Sequence, residues 1–208
     1  MSVQTKIEEQ LNAVSHAIGA LLGIAGLVLL ILFNTNKTDW SLFSVIIYGI
    51  SIIILFTAST LYHGIRGEKR KHYFRIVDHI GIYLLIAGTY TPVLLITLEQ
   101  SQGWTLFWVV WSIAAFGVIL KLFFTGKFEV FSTLLYLVMG WLIVFDYSNL
   151  SEAIGSEGVL WFFAGGLFYT VGIIFYAIER IPYNHVIWHL FVLAGALCHF
   201  FMILFYVV

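Results

Sequence analysis

The sequence predicts an all-α membrane protein, a bundle of seven transmembrane helices in a single domain covering residues 1–208. Three observations carry this. The mean hydropathy is +0.98, 61% of the residues are hydrophobic and only 10% carry charge, a composition outside the soluble range. Apolar runs recur almost to the last residue, each near the ~20 residues a helix needs to cross ~30 Å of hydrocarbon. The runs are apolar on all sides rather than alternating over ~10 residues, which excludes a transmembrane β-barrel.

Seven such segments follow in order: residues 17–33, 42–61, 80–98, 106–122, 130–145, 159–178 and 186–208. The N-terminal stretch holds Glu8 and Glu9 and lacks a basic region followed by a small-residue cleavage site, so it reads as retained rather than as a signal peptide. Within the third segment, Pro92 predicts a kink, with the Thr89 and Thr91 hydroxyls available to the backbone groups it frees. Trp40, Trp104, Trp108, Trp161 and Trp188 are suited to interfacial anchoring. Gly19 and Gly23, the Gly165–Gly166 pair and Gly172 offer close helix contacts, within the chain at least as readily as between copies. Cys198 is the single cysteine and has no partner for an intrachain disulfide. No composition shift or linker marks a second domain, and short connections predict antiparallel neighbours.

Charge gives the orientation. Assigning alternate loops to opposite sides collects Lys6, Arg66, Lys69, Arg70, Lys71, Arg75, Lys121, Lys127 and Arg180 on the N-terminal side and leaves Lys37 alone on the other. Basic residues are retained in the cytoplasm, so the reading is a multi-pass cell-membrane protein with a cytoplasmic N-terminus and an extracytoplasmic C-terminus. Glu99, Asp146, Glu152 and Glu157 fall on the opposite side. The basic stretch of residues 63–75 suits anionic headgroups, although topology alone accounts for it.

Against this background the ionisable groups near the spans stand out, because a polar side chain at membrane depth is costly and is kept for a use. His185 and His189 are four apart, so on a helix they share a face about 6 Å apart along the axis. His63 ends the second segment with Ser59 one turn earlier on the same face, and Asp78 opens the third. All these helix ends fall on the cytoplasmic side. One cation can therefore receive nitrogens from His63, His185 and His189, leaving a fourth position open, which describes a catalytic zinc site. Asp78 and Ser59 are the candidate catalytic residues: a carboxylate beside a zinc-activated water can accept and deliver its proton. A lone histidine at a span end is more often interfacial, and it is the addition of His63 and Asp78 to the His185/His189 pair that favours metal.

The remaining histidines fall outside the ligand set. His72 belongs to the basic loop and His79 points about 100° from Asp78, which makes it interfacial. His199 lies about 15 Å beyond His189 along the helix, deep in the membrane, as an interior hydrogen-bonding residue or part of a cavity wall. Glu8, Asn12 and His16 form a polar stripe leading into the first segment. An interfacial helix cap is the favoured account of that stripe; support of the site or contact with substrate is the other.

Taken together, Ser59-x-x-x-His63, Asp78 followed by residues up to Pro92, and His185-x-x-x-His189 with a later His199-Phe200 resemble the hemolysin III family. That family groups with the progesterone and adipoQ receptors and, more distantly, the alkaline ceramidases. The Glu8-x-x-x-Asn12-x-x-x-His16-x-x-Gly19 pattern is similar to its bacterial branch, and the resemblance covers essentially the whole chain. It implies seven helices with a cytoplasmic N-terminus. It also implies zinc on His63, His185 and His189, with Asp78 at the zinc-bound water and Ser59 as the motif serine. The short N-terminus and the lack of an extramembrane domain depart from a receptor for a protein ligand.

The leading expectation is a zinc-dependent integral-membrane hydrolase of a lipid amide or ester, ceramidase-like, that adjusts membrane lipid composition or fluidity. Its partners would be membrane lipids and a substrate with an acyl chain, with no role for nucleic acid. The alternatives are a membrane-permeabilising cytolysin, which a chain of seven apolar spans without a secretion signal makes awkward, and a sensor whose zinc is structural. A retinal-type pump is disfavoured because the last segment has no lysine, and a carboxylate-driven transporter because the acidic residues lie in loops or near span ends.

Overall fold

A computed structural model of the chain describes residues 4–208, and among these the regular structure is entirely helical. The helices are α1 (Lys6–Phe33), α2 (Ser41–Gly64), α3 (Glu68–Pro92), α4 (Gly103–Phe124), α5 (Glu129–Gly140), α6 (Tyr147–Ala177) and α7 (Asn184–Met202). Single π-helical turns extend α3 through Val93–Thr97 and α7 through Ile203–Val207, and a 3₁₀ turn, Leu142–Asp146, joins α5 to α6.

Six helical stretches are long and apolar enough to cross a membrane. The expected fifth and sixth spans fall within one of these, Glu129–Ala177, rather than forming two. The reason is local: α5 has 12 residues and its 3₁₀ continuation five, which together reach only about 28 Å. Gly155, at φ +65°, breaks the direction of α6 a short way after its start.

Two boundaries move in a way that matters. The first helix begins at Lys6, where Thr5 and Glu8 form a reciprocal capping box, so the polar stripe of residues 8–16 belongs to α1. The third helix begins at Glu68, so the basic stretch is mostly helix, and Asp78 lies ten residues inside α3 rather than at its start. Charged residues interrupt the apolar pattern without interrupting the backbone hydrogen bonds, and hydropathy alone misplaced both ends.

The surface is largely apolar, and the interior, itself mainly apolar, also encloses a set of polar groups. Leu32, Phe123 and Val130 are 72%, 74% and 77% exposed, whereas Asn12, Ser59, His63, Asp78, His189 and Lys121 are buried. Helices α1 and α2 pack through glycine: a Cβ on Gly19 would sit 2.6 Å from Phe56, and one on Gly23 2.6 Å from Ile52, so the Gly19/Gly23 pair serves contact within the chain. At Pro92 the helix widens into the π-turn. Thr89 and Thr91 bond the Leu85 and Ala87 carbonyls at 2.7 and 2.8 Å, in the turn that holds the Gly88 carbonyl freed by the proline. Trp40 and Trp104 meet edge to face with ring centroids 5.1 Å apart, joining the starts of α2 and α4.

Candidate metal centre

The end of α2 and the start of α7 bring three imidazoles together. His63, His185 and His189 each offer a ring nitrogen within 4.8 Å of the others, and their ring centroids are separated by 5.2, 4.9 and 4.7 Å. His185 and His189 converge because four residues are about one helical turn; His63 joins them because α2 ends at the same depth. Asp78 stands beside Ser59, His63 and Arg75. The Ser59 hydroxyl faces that carboxyl without closing a well-formed hydrogen bond.

The ring nitrogens are differentiated by what lies behind them. Nδ1 of His63 is 2.7 Å from the Glu9 carboxylate, and Glu9 in turn pairs with Lys71. Nδ1 of His189 is 3.3 Å from the main-chain oxygen of Asn12, to which it can donate. With its Nδ1 engaged, His63 keeps a buried Nε2 that has no partner in the protein. A buried imidazole nitrogen with its lone pair free is costly unless something takes it. Three convergent imidazoles are a donor set that suits zinc, and they leave a tetrahedral ion one position for water or substrate. The residues fit such an ion.

His16 lies flat on His189, with ring centroids 3.6 Å apart and planes 8° from parallel, and meets the edge of Phe56 at 4.8 Å. Parallel stacked rings cannot both contain one ion in their planes, so His16 supports His189 rather than joining it as a ligand. The expected stripe is therefore displaced at one position. Glu8 is occupied in the capping box, and the residue that reaches the site is Glu9, which forms one face of α1 with Asn12 and His16. Spacing barely separates the two, because positions 9, 12 and 16 and positions 8, 12 and 16 both lie along one helix face.

The other histidines separate cleanly. His72 is exposed. His79 is buried rather than interfacial: its Nδ1 is 3.9 Å from Glu129, whose other contacts are Lys121 at 2.9 Å and Arg75 at 3.5 Å. No spacing along the chain signals that Glu129, at the start of α5, meets these groups from α3 and α4. His199 is interior, with Nε2 3.1 Å from the main-chain oxygen of Phe162.

An apolar, partly open cavity of about 110 Å³ lies in the bundle interior, lined by residues one turn from the site rather than by the imidazoles themselves. Leu55 and Ile82, one turn from Ser59 and Asp78, line its upper end with Trp188, and Met202 lines its lower end. Tyr136 and Gly166 bring α5 and α6 into its wall.

Comparison with known proteins places this geometry in context. The haemolysin-III-related family model matches residues 4–200. Hemolysin-3 of Bacillus cereus is 47% identical over 201 residues, 96% of this chain and 92% of that protein. The Hemolysin-3 homolog of Bacillus subtilis (strain 168) is 46% identical over 202 residues, 97% and 95% of the two chains. The human monocyte to macrophage differentiation factor is 30% identical over 208 residues, covering 96% of this chain and 84% of its own length.

Proposed function

Starting from the chain's membership of the haemolysin-III-related family of multi-pass membrane proteins, we propose that it is a zinc-dependent hydrolase of a lipid amide or ester. In this reading it has seven crossings, with the N-terminus and the imidazole cluster at the cytoplasmic face of the cell membrane. Two contacts support the fifth crossing. Glu129 meets Lys121 and Arg75 at one end of the bundle, and Asp146 meets Ser101 and Gln102 at the other.

The observation that carries the proposal is the cluster of His63, His185 and His189, with an apolar cavity whose wall includes Trp188, the neighbour of His189 in sequence. A divalent ion held there supplies Lewis-acid polarisation of a carbonyl and acidification of a water. The chain supplies the rest. Asp78 accepts a proton from the attacking water at its carboxylate and returns it to the departing amine or alkoxide. The Ser59 hydroxyl, buried beside Asp78 with no partner in the protein, is free to bond the Asp78 carboxyl or the attacking water. The cavity takes the acyl chain and keeps bulk water from it. Turnover of this kind would adjust membrane lipid composition.

A second reading, a sensor with a structural ion, draws on the origin of the ligands: an ion shared by α2 and α7, supported from α1, would staple three helices. Metal analysis of purified protein beside His63→Ala and His189→Ala tests the site, with stoichiometric zinc in the wild type and loss in both variants expected. Incubation with defined ceramides and phospholipids then separates the readings. Release of fatty acid that disappears in Asp78→Asn supports the hydrolase. Zinc without release supports the sensor.

A further inference from the structure

We propose that Glu9 is the positioning residue of the metal centre, holding His63 in the tautomer that presents Nε2 to the ion, with Lys71 holding Glu9. This rests on the metal-centre reading above and extends it to residues outside the ligand motifs. Three observations lead to it. The Glu9 carboxylate is 2.7 Å from Nδ1 of His63, and a carboxylate can only accept, so the ring must place its hydrogen on Nδ1. The opposite nitrogen of the same ring is buried and bare. The second oxygen of Glu9 is engaged by Lys71, whose ammonium also lies 5.3 Å from the Tyr62 ring centroid, so the carboxylate is held from both sides.

A carboxylate behind a ligating imidazole fixes the ring's orientation and raises its basicity. Asn12 does the same for His189 with a main-chain carbonyl, which no side-chain substitution removes. Glu9 is therefore the side chain on α1 through which, among the described residues, this hydrogen-bonded support can be changed chemically. The structural alternative is that Glu9 only ties α1 to α2. That account moves stability and leaves the ring's tautomer untouched.

The test uses the full chain in lipid nanodiscs, with zinc alone as the probe and ¹⁵N-histidine NMR on metal-stripped protein. Glu9→Leu should lower zinc affinity roughly 10–100-fold and shift His63 away from the Nδ1–H form. Glu9→Gln, whose amide oxygen still accepts the hydrogen bond, should keep the tautomer and weaken zinc by less. Glu152→Gln, at an exposed position of α6, should change neither. Wild-type affinity and tautomer in Glu9→Leu, or an equal loss in Glu152→Gln, overturns the proposal. If Glu9→Leu does not fold, Glu9→Gln decides: affinity equal to the wild type overturns it. If the wild type takes up no zinc, the hydrolase reading fails, and the tautomer of His63 in the variants still decides the role of Glu9.

Discussion

Gly19→Ala should weaken metal binding from a position that touches no ligand. The added Cβ would lie 2.6, 2.8 and 2.9 Å from three ring carbons of Phe56, about an ångström inside ordinary carbon contact. Phe56 is 1% exposed and cannot swing aside. Its edge meets His16 at 4.8 Å, and His16 is stacked on His189 at 3.6 Å, so displacement of the phenyl ring passes through one imidazole to a ligand. Overpacking of this kind costs about 1–3 kcal/mol, offset by up to about 1 kcal/mol of helix propensity gained over glycine. The net expectation is about 0–2 kcal/mol of destabilisation, and about 1.4 kcal/mol of it falling on His189 lowers zinc affinity about tenfold. Gly140→Ala is the control, because a Cβ there meets nothing within 4 Å. Thermal unfolding and zinc competition on both variants provide the assay. Gly19→Ala protein with wild-type stability and affinity would refute the claim that Phe56 and His16 transmit packing to the site.

Three further outcomes follow from contacts away from the imidazoles. Asp146→Asn weakens the carboxylate's bonds to Ser101 Oγ at 2.6 Å, Gln102 N at 3.0 Å and Asn149 Nδ2 at 2.6 Å, and should cost about 1–3 kcal/mol in a chemical unfolding titration with zinc content unchanged. Glu129→Gln leaves the buried Lys121 ammonium without its carboxylate; about 3 kcal/mol should be lost, read from unfolding midpoints, and the double variant Lys121→Met/Glu129→Leu should recover most of it. Tyr90→Phe removes the hydroxyl that donates to the Gly140 carbonyl at 2.9 Å and accepts from Ile143 N at 3.1 Å. It should cost about 1 kcal/mol and speed hydrogen exchange in residues 140–146 while leaving metal binding intact.

The fold class was legible because a helix that faces lipid must be apolar over its whole length, and six such stretches are present. Helix ends were less legible. Lys69, Arg70, Lys71 and Arg75 mark the edge of the hydrocarbon, whereas the helix ends where its hydrogen bonds end, near Gly67. The three imidazoles could be found from sequence because a four-residue spacing and a shared depth are both one-dimensional signals. Glu9 was missed because Glu8 and Glu9 are chemically identical, and only the docking angle of α1 on α2 decides which one caps the helix and which one reaches His63. Glu129 was missed for a related reason: its partners come from α3 and α4, and no spacing within α5 encodes them.

The distribution of bare polar atoms gives this division a physical basis. In the bundle interior, Thr60, Thr89, Thr91 and Thr170 return their hydroxyls to carbonyls one turn earlier, so these four side chains satisfy themselves within their own helices. Around the metal centre the pattern fails. The Asn12 side-chain oxygen, both ring nitrogens of His16, the Ser59 hydroxyl and Nε2 of His63 are all buried without a protein partner. Bare polar atoms cost more in a low-dielectric interior than at a surface. Others lie elsewhere in the bundle, among them the Ser44, Tyr48, Tyr83, Ser132 and Tyr169 hydroxyls and Nδ1 of His199, so bareness alone does not mark a site. What sets the metal centre apart is that the bare Nε2 of His63 lies where His185 and His189 converge; one ion would satisfy it and engage all three rings, and helix packing alone gives no reason to gather three imidazoles there.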